Sequence, residues 1–348
     1  MGVVEEVREA AAGPLAAAAQ RPLLVMLSGG RDSVCLLDVA LAIHDAGAVA
    51  ALHVNYGLRE EAADDERHCV ALCGALGVEL RIVHESRPAG GAGAPAGIAG
   101  NLQAWARDVR YRAAARIAAE RDALFATGHT ASDQVETILY RLAASPGRRA
   151  LLGMVADEGR LIRPLLAVTR AQTAAYCEAR SLSWREDTSN DDAHYARARV
   201  RHGLLPALRA VHPAAEANVL RTARLLREET ELLDGLVERE LSGRGSVAIA
   251  RLGELPTALA RLVVVRLAED AVGDYVPQAG DRVQEILALA GRGGRAELHV
   301  GGNAGAVIAG GELRMVRLPP RGDETHDRVH TRARGSRGRS RRGARHLR

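Results

Sequence analysis

LSGGRDS, residues 27–33, joins an apolar β-type run, PLLVML (22–27), to a helical pattern over 32–45. Adjacent glycines adopt positive φ without steric cost and let backbone N–H groups approach an anion closely. The helix that opens at Asp32 and Ser33 adds its own unpaired N–H groups and the positive end of its dipole. The stretch therefore predicts a phosphate cradle formed by Ser28, Gly29, Gly30, Arg31, Asp32 and Ser33, made largely of backbone. Asp32 is the odd member, because a carboxylate repels phosphate unless a cation stands between them. Mg²⁺ suits that place, since it takes a carboxylate together with phosphate oxygens, and Asp32 is its expected ligand. A plain strand-to-helix turn capped by Asp32 is the alternative that these seven residues leave open.

Outward from this turn, further β-type runs occur at 48–54, 78–84 and 123–127, each followed by a helical pattern, at 62–76, 101–120 and 131–143. Continuous apolar strands separated by helices predict an α/β fold with a doubly wound parallel sheet. Ligands of such sheets bind beyond the carboxyl ends of the strands. SRPAGGAGAPAGIAG (86–100) interrupts the pattern and reads either as a lid or as a neutral insertion. Past residue 205 the pattern turns helical, and a small α+β unit follows, with a helix near 279–290 and two or three short strands within 296–318. The expected organisation is 1–210, 211–320 and an arginine-rich tail, 321–348. The tail carries almost no large apolar residues and reads as solvated chain or as an arm that steers RNA.

Among the 348 residues there is no lysine, so all 47 basic residues are arginine and the net charge is +4. A Walker A loop and a Schiff-base or nucleotidyl-lysine enzyme are thereby excluded. Arginine binds phosphate through a planar fork, so the basic surface suits nucleic acid. With only two Trp, six Tyr and one Phe, an aromatic platform for single strands is not expected. Cys35, Cys69, Cys73 and Cys177 form no CxxC pair; Cys69 and Cys73 read as small core residues away from the strand ends, in a reducing compartment. The N-terminus has acidic flanks and a proline within its alanine run, unlike a signal peptide, and no run reaches membrane-spanning length. A cytoplasmic protein is expected.

Five further motifs follow in order: HVNYGLR (53–59), NLQAWARDVRYR (101–112), ATGHTASDQVETILYRL (126–142), LIRPLL (161–166) and LSWREDTSNDDAHYARARVRHGLLPAL (182–208). At about 100° per residue, Val135, Ile138, Leu139 and Leu142 form one stripe, and His129, Asp133 and Glu136 fall together on another. The helix is expected to turn an imidazole and two carboxylates toward the crevice, although dipole and capping roles would also suit the acids. Arg107 and Arg110 share a helix face, either as a solvated basic face or as a charge-stabilising pair. Arg185, Arg197, Arg199 and Arg201 alternate among turn formers, so some are expected on RNA phosphates and others in ion pairs with Glu186, Asp187, Asp191 or Asp192.

SGGRDS resembles the Ser-Gly-Gly-x-Asp-Ser signature of the PP-loop ATP pyrophosphatases, and the ordered motifs resemble the tRNA(Ile)-lysidine synthetase family over about residues 20–210, more weakly after 255. Departures from the family pattern are Tyr56 and Thr130 in place of histidines, Ser132 in place of an acid, and YARARVR without the usual asparagine. The resemblance implies ATP and Mg²⁺ on residues 28–33. It implies that C2 of the wobble cytidine (C34) of tRNA(Ile) with a CAU anticodon is activated as its O2 adenylate. The amine of free L-lysine then displaces AMP to give lysidine. Asp32, Arg107, Arg110, His129, Asp133 and Glu136 are the implied catalytic set, with Asp133 and Glu136 holding lysine and His129 or a carboxylate assisting loss of the amine proton. Arg185, Arg197, Arg199 and Arg201 are the implied tRNA contacts, residues 211–320 a tRNA-binding unit, and a homodimer without a membrane anchor the expected assembly. Two alternatives are kept: a 2-thiolating PP-loop enzyme, disfavoured by the lack of reactive cysteines, and an RNA-binding relative without catalysis.

Overall fold

The computed structural model describes residues 2–57, 62–86, 102–145, 147–185 and 196–319. The 86–100 stretch beyond Ser86, the tail, and Glu186, Asp187, Asp191 and Asp192 lie outside the described residues. The described chain forms two compact units, one ending at Glu231 and one beginning at Leu232.

In the first unit, helix α1 (Val3–Ala17) precedes β1 (Leu23–Met26), α2 (Arg31–Ile43), β2 (Val49–Asn55), α3 (Ala62–Leu76), β3 (Glu79–His84), α4 (Leu102–Glu120), β4 (Leu124–Ala126), α5 (Ala131–Ala144), β5 (Asp157–Glu158), β6 (Leu161–Ile162) and α6 (Arg170–Ala179). The sheet order is β3-β2-β1-β4-β6-β5, parallel throughout except for the antiparallel edge strand β5. This is the doubly wound α/β arrangement that the run of apolar strands predicts. Strand β1 is buried along its whole length because both of its faces are covered. Leu23, Val25 and Leu27 share a core with α1, α2, α3 and α6, whereas Leu24 and Met26 point to the opposite side and pack on Trp105, Val109 and Ala113 of α4. The period of two residues along a strand produces this division.

Local sequence sets the ends of the helices near the crevice. Thr130 and Asp133 form a reciprocal capping box at the start of α5, and Thr169 and Gln172 do the same for α6. The N-terminal alanine run is α1, which buries Val7, Ala11 and Leu15 at one-turn spacing and carries Pro14 near its end. Behind the sheet, Asp38 of α2 is buried and accepts hydrogen bonds from the Tyr176 hydroxyl (2.7 Å) and Arg180 Nε (3.0 Å), both belonging to or capping α6. Arg8 of α1 donates to the same hydroxyl at 3.2 Å. Burial and the Asp38 carboxylate push the Tyr176 phenol up, so it acts as a permanent donor.

Helices α7 (Ala196–Arg199) and α8 (Leu205–Val211) are joined by a π-type turn, and α9 (Ala215–Leu241) follows. The division between the units falls within α9, after Glu231 rather than near residue 210. Residues past 210 stay with the first unit because Leu208, Val219 and Leu220 pack on Val135, Leu139, Val200 and Leu205, and Arg227 donates to the carbonyls of Leu152 and Met154.

The second unit has β7 (Ser246–Ala248), α10 (Ile249–Glu254), α11 (Thr257–Val272), α12 (Val283–Ala290), β8 (Ala296–Gly301), β9 (Ala304–Ala309) and β10 (Glu312–Arg317). Its antiparallel sheet, ordered β7-β10-β9-β8, shares a core with α11 and α12 through Val263, Val264, Leu267, Ile286, Ile308 and Leu313. No described helix is long and apolar enough to cross a membrane.

Replacing Tyr176 by Phe removes a buried hydrogen bond to a carboxylate. Chemical unfolding is expected to show a loss of about 1.5–3 kcal/mol. The exposed Tyr140→Phe control is expected to stay within about 0.5 kcal/mol. Equal effects of the two would show that the Asp38 network does not hold α1, α2 and α6 together.

Candidate active site

The turn after β1 is knitted by its two serines. Ser33 Oγ donates to Gly30 O (2.8 Å) and accepts from Ser28 N (3.2 Å), and Ser28 Oγ lies 3.1 Å from it. Gly29 has φ +84°, a conformation that side chains resist, and Gly30 caps α2 with an extended backbone. In the first turn of α2 the N–H of Ser33 donates to Gly30 O (3.0 Å), which leaves those of Arg31 and Asp32 without an intrahelical acceptor, at the positive end of the helix. From the β4 side, Gly128 lies directly on this turn: a Cβ there would stand 2.9 Å from the backbone C and O of Asp32 and 3.1 Å from Ser33 N. Only glycine lets the two loops approach this closely.

Asp32 is not a simple cap. Its Oδ1 accepts from Thr173 Oγ1 (2.5 Å) and lies 3.3 Å from Arg31 Nε, while Oδ2 lies 3.6 Å from Arg170 Nε. Arg170 also donates to Asp133 Oδ1 (2.6 Å) and Glu136 Oε1 (2.8 Å). Arg201 donates to both oxygens of Glu136, at 2.7 and 3.2 Å. The second oxygen of Asp133 accepts from Thr130 N and Oγ1, both at 2.8 Å. Burial raises the Asp133 carboxyl, but Arg170, His129 and the Thr130 donors outweigh it, so the group stays below its ordinary value and ionised. The expected face of α5 thus exists, and its two carboxylates are engaged by arginines of the chain itself.

Sequence reasoning did not identify Arg170 or Thr173. A signal was present: an arginine in the first turn of a helix opposes the helix dipole and requires nearby acids, and Thr173 lies one turn further along the same face.

His129 sits on the loop between β4 and α5, with Nδ1 2.8 Å from Thr127 Oγ1. Burial, followed by the charges of Arg107, Arg163 and Arg197, outweighs Asp133 and pushes the imidazole down to about 3. It is therefore neutral near pH 7 and too weak a base to take a proton from an ammonium group with a pKa near ~10.4. Arg107 stacks over the Tyr111 ring at 4.6 Å, and its charge is felt by His129, Arg163 and Arg197. Arg110 acts on Tyr56, whose hydroxyl donates to Ala106 O at 2.8 Å.

The four alternating arginines separate. Arg197 donates to Thr137 Oγ1 (2.7 Å) and Arg201 to Glu136, so both face α5, whereas Arg199 is exposed on α7. Arg185 lies elsewhere: its N–H donates to Gly29 O (2.9 Å), beside the phosphate turn, and its Nε donates to Asp65 Oδ1 (2.5 Å).

Cys69 corrects an expectation, because it does not sit away from the strand ends. Its sulfur would be 3.3 Å from a Cβ on Gly29 and lies 3.4 Å from His53 Nδ1, which is 3.0 Å from Leu27 O. The helical period of α3 brings it under the turn. Burial pushes the Cys69 thiol up to about 12 and that of Cys73 up to about 11, so both stay protonated and unreactive. Among the described residues no group of three or more His, Cys, Asp or Glu side chains is placed to hold a metal ion.

The His129 shift has a definite sign. The unfolded chain takes up this proton near pH 6.5 and the folded chain only near 3, so stability is full above 6.5 and falls as the pH drops through that window. Nitrogen NMR of the imidazole is expected to show the neutral ring at pH 5. An imidazolium signal at that pH would contradict the buried geometry. His129→Gln is expected to flatten the loss of thermal stability between pH 6.5 and 4.

Comparison with known proteins agrees with this geometry. The PP-loop domain model matches residues 4–208. The tRNA(Ile)-lysidine synthase of Pseudomonas aeruginosa PAO1 is 39% identical over 224 residues, covering 62% of this chain and 48% of that protein. That of Azoarcus sp. BH72 is 37% identical over 267 residues, covering 74% and 56%. That of Geobacter sulfurreducens PCA is 32% identical over 284 residues, covering 76% and 58%. The chain spans about half the length of the curated relatives it matches. Among solved structures, the U34-tRNA thiolase NcsA from Methanococcus maripaludis with its [4Fe-4S] cluster superposes with a TM-score of 0.53 at 19% identity, over 65% of this chain and 79% of that one, a likeness of fold. A glycine turn between a buried parallel strand and a helix, matched by the family's model over more than half of the residues, makes this chain a member of the PP-loop family.

Proposed function

We propose that the chain ligates free L-lysine to C2 of the wobble cytidine of tRNA(Ile) with a CAU anticodon, consuming ATP through an adenylated cytidine. The observation that carries this reading is the junction of the 28–33 turn with the Asp32, Asp133, Glu136 and Arg170 network, in a unit similar to tRNA(Ile)-lysidine synthases.

The backbone N–H groups of the turn and of the first turn of α2 hold ATP phosphates. Asp32, partly exposed at 23%, is one carboxylate beside a phosphate cradle, a donor set that fits Mg²⁺ completed by phosphate oxygens. When bound, Mg²⁺ supplies charge neutralisation between that carboxylate and the phosphates. Arg107 and Arg110 stabilise negative charge as it develops on the cytidine carbonyl and the phosphate. Asp133 and Glu136 receive the lysine ammonium by exchange with the Arg170 guanidinium, one cation for another, so the buried carboxylates never lose their partner. His129, held neutral, orients the amine rather than deprotonating it, and the proton leaves that nitrogen for solvent as the C–N bond forms and the nitrogen becomes acidic. Exposed Arg199 suits a tRNA phosphate contact, and the unit after Leu232 grips the tRNA.

The test is incubation of the purified chain with ATP, Mg²⁺, radiolabelled lysine and tRNA(Ile) bearing CAU, with tRNA(Met) as control. Stable label is expected in the first tRNA only and is lost in Asp32→Ala. ATP cleaved to AMP and pyrophosphate with no label in RNA would overturn the reading in favour of another nucleophile, as in 2-thiolation. Steady-state kinetics of Asp133→Asn are expected to show the KM for lysine raised about tenfold, with the KM for ATP changed less than about threefold. A rise confined to ATP would remove Asp133 from the lysine site.

A further inference from the structure

Helix α6 lies along α2 with one polar face. The helical period sets Thr173, Tyr176, Cys177 and Arg180 within two turns of one another on that face. Tyr176 and Arg180 hold Asp38 at one end, the Cys177 sulfur lies 3.7 Å from Arg31 O, and the Thr173 hydroxyl meets Asp32 at the other end, beside the phosphate turn. Thr173 is fully buried.

This hydroxyl has two acceptors and one hydrogen. Arg170 O, one turn back, is 3.0 Å away and is the ordinary partner of a threonine inside a helix, whereas Asp32 Oδ1 is 2.5 Å away. The local carbonyl would satisfy the hydroxyl by itself, so packing α6 on α2 does not require the bond to Asp32. A carboxylate is nevertheless the stronger acceptor, and 2.5 Å is the separation of a charge-assisted O–H···O⁻ bond.

The two oxygens of Asp32 are thereby made unlike. Oδ1 accepts from Thr173 and, at 3.3 Å, from Arg31 Nε. Oδ2 accepts no hydrogen bond among the described residues, with Arg170 Nε 3.6 Å away. The backbone of Asp32 is held as well, since a Cβ on Gly128 would stand 2.9 Å from its C and O. Unlike the guanidinium groups of Arg31 and Arg170, the Thr173 hydroxyl orients the carboxylate without adding positive charge, so it does not compete with a cation for it.

We propose that Thr173 is a positioning residue for the metal–nucleotide complex: it pins Oδ1 of Asp32 and so leaves Oδ2 to the Mg²⁺ that accompanies ATP. The proposal rests on Asp32 being the Mg²⁺ ligand, and it adds a residue outside the glycine turn on which that ligand depends.

The experiment titrates the full chain with ATP, in the absence of tRNA and lysine, once with Mg²⁺ and once with EDTA in its place. Wild type, Thr173→Val, Thr173→Ser and Tyr176→Phe are compared, and the quantity read is the factor by which Mg²⁺ tightens ATP binding. Thr173→Val is expected to reduce that factor about tenfold and to leave the affinity in EDTA within about twofold. Thr173→Ser, which keeps the hydroxyl and loses only the methyl group, is expected to stay within about threefold of wild type. Tyr176→Phe, which loosens the other end of the same α2–α6 contact, is expected to lower thermal stability and leave the factor unchanged. A loss in Thr173→Val that is equal in Mg²⁺ and EDTA, a loss that serine does not restore, or no loss at all would overturn the proposal and reduce Thr173 to a packing contact. Wild-type ATP binding indifferent to Mg²⁺ would instead remove Asp32 as the ligand, and the proposal with it. Should Thr173→Val fail to fold, Thr173→Ala is read by the same ratio.

Discussion

Glu136 is 1% exposed and carries two guanidinium groups, and much of the crevice follows from that. A carboxylate so far from water is tolerated only when paired and fully hydrogen-bonded, and removing one partner of such a pair costs about 3–5 kcal/mol. Arg170 meets this need from the first turn of α6, where the helix dipole would otherwise disfavour it. The same guanidinium reaches Asp133 and Asp32, so the phosphate turn, α5 and α6 are tied through a single side chain. Arg31, Arg170 and Arg201 match Asp32, Asp133 and Glu136 in charge, so the three carboxylates are neutralised within the chain itself.

Charge is sorted across the strand ends. Carboxylates and their arginine partners gather toward α2 and α6, while Arg107 and Arg163 lie toward α4, with Arg197 reaching in from α7. His129 stands between them, drawn toward protonation by Asp133 and away from it by burial and three arginines, and the second influence prevails. A neutral ring at this boundary lets two opposite fields coexist over a short distance.

Much of this was legible in the chain as a string of residues. The turn at 27–33, the buried parallel strands and the helical spacing that sets Asp133 and Glu136 on one face are local patterns, and local patterns carry their periodicity with them. What lay beyond reach was pairing across the fold. Thr173 meets Asp32, and Arg170 meets three carboxylates, only because α6 packs beside α2, a consequence of tertiary packing that no spacing rule encodes. Cys69 was misplaced for the same reason: its helix was evident, but the strand end beneath it was not. The 211–231 stretch looked like the start of a new unit because it is charged and helical, yet Val219 and Leu220 return to the α5 surface. The likeness to a cluster-bearing thiolase is one of fold alone; in this chain Cys69 and Cys73 are buried and held protonated.

Helix α1 carries none of the crevice residues, and yet Arg8 touches Tyr176, Tyr176 touches Asp38, and Asp38 belongs to the helix whose first turn is the phosphate turn. Val7, Ala11 and Leu15 fill the core beneath that helix. The presence of α1 thus has mechanical weight. A chain begun after Leu15 would keep every residue of the crevice and lose the wall against which α2 is braced, so a shortened product would be impaired in the stiffness of its nucleotide turn while its motifs read as intact.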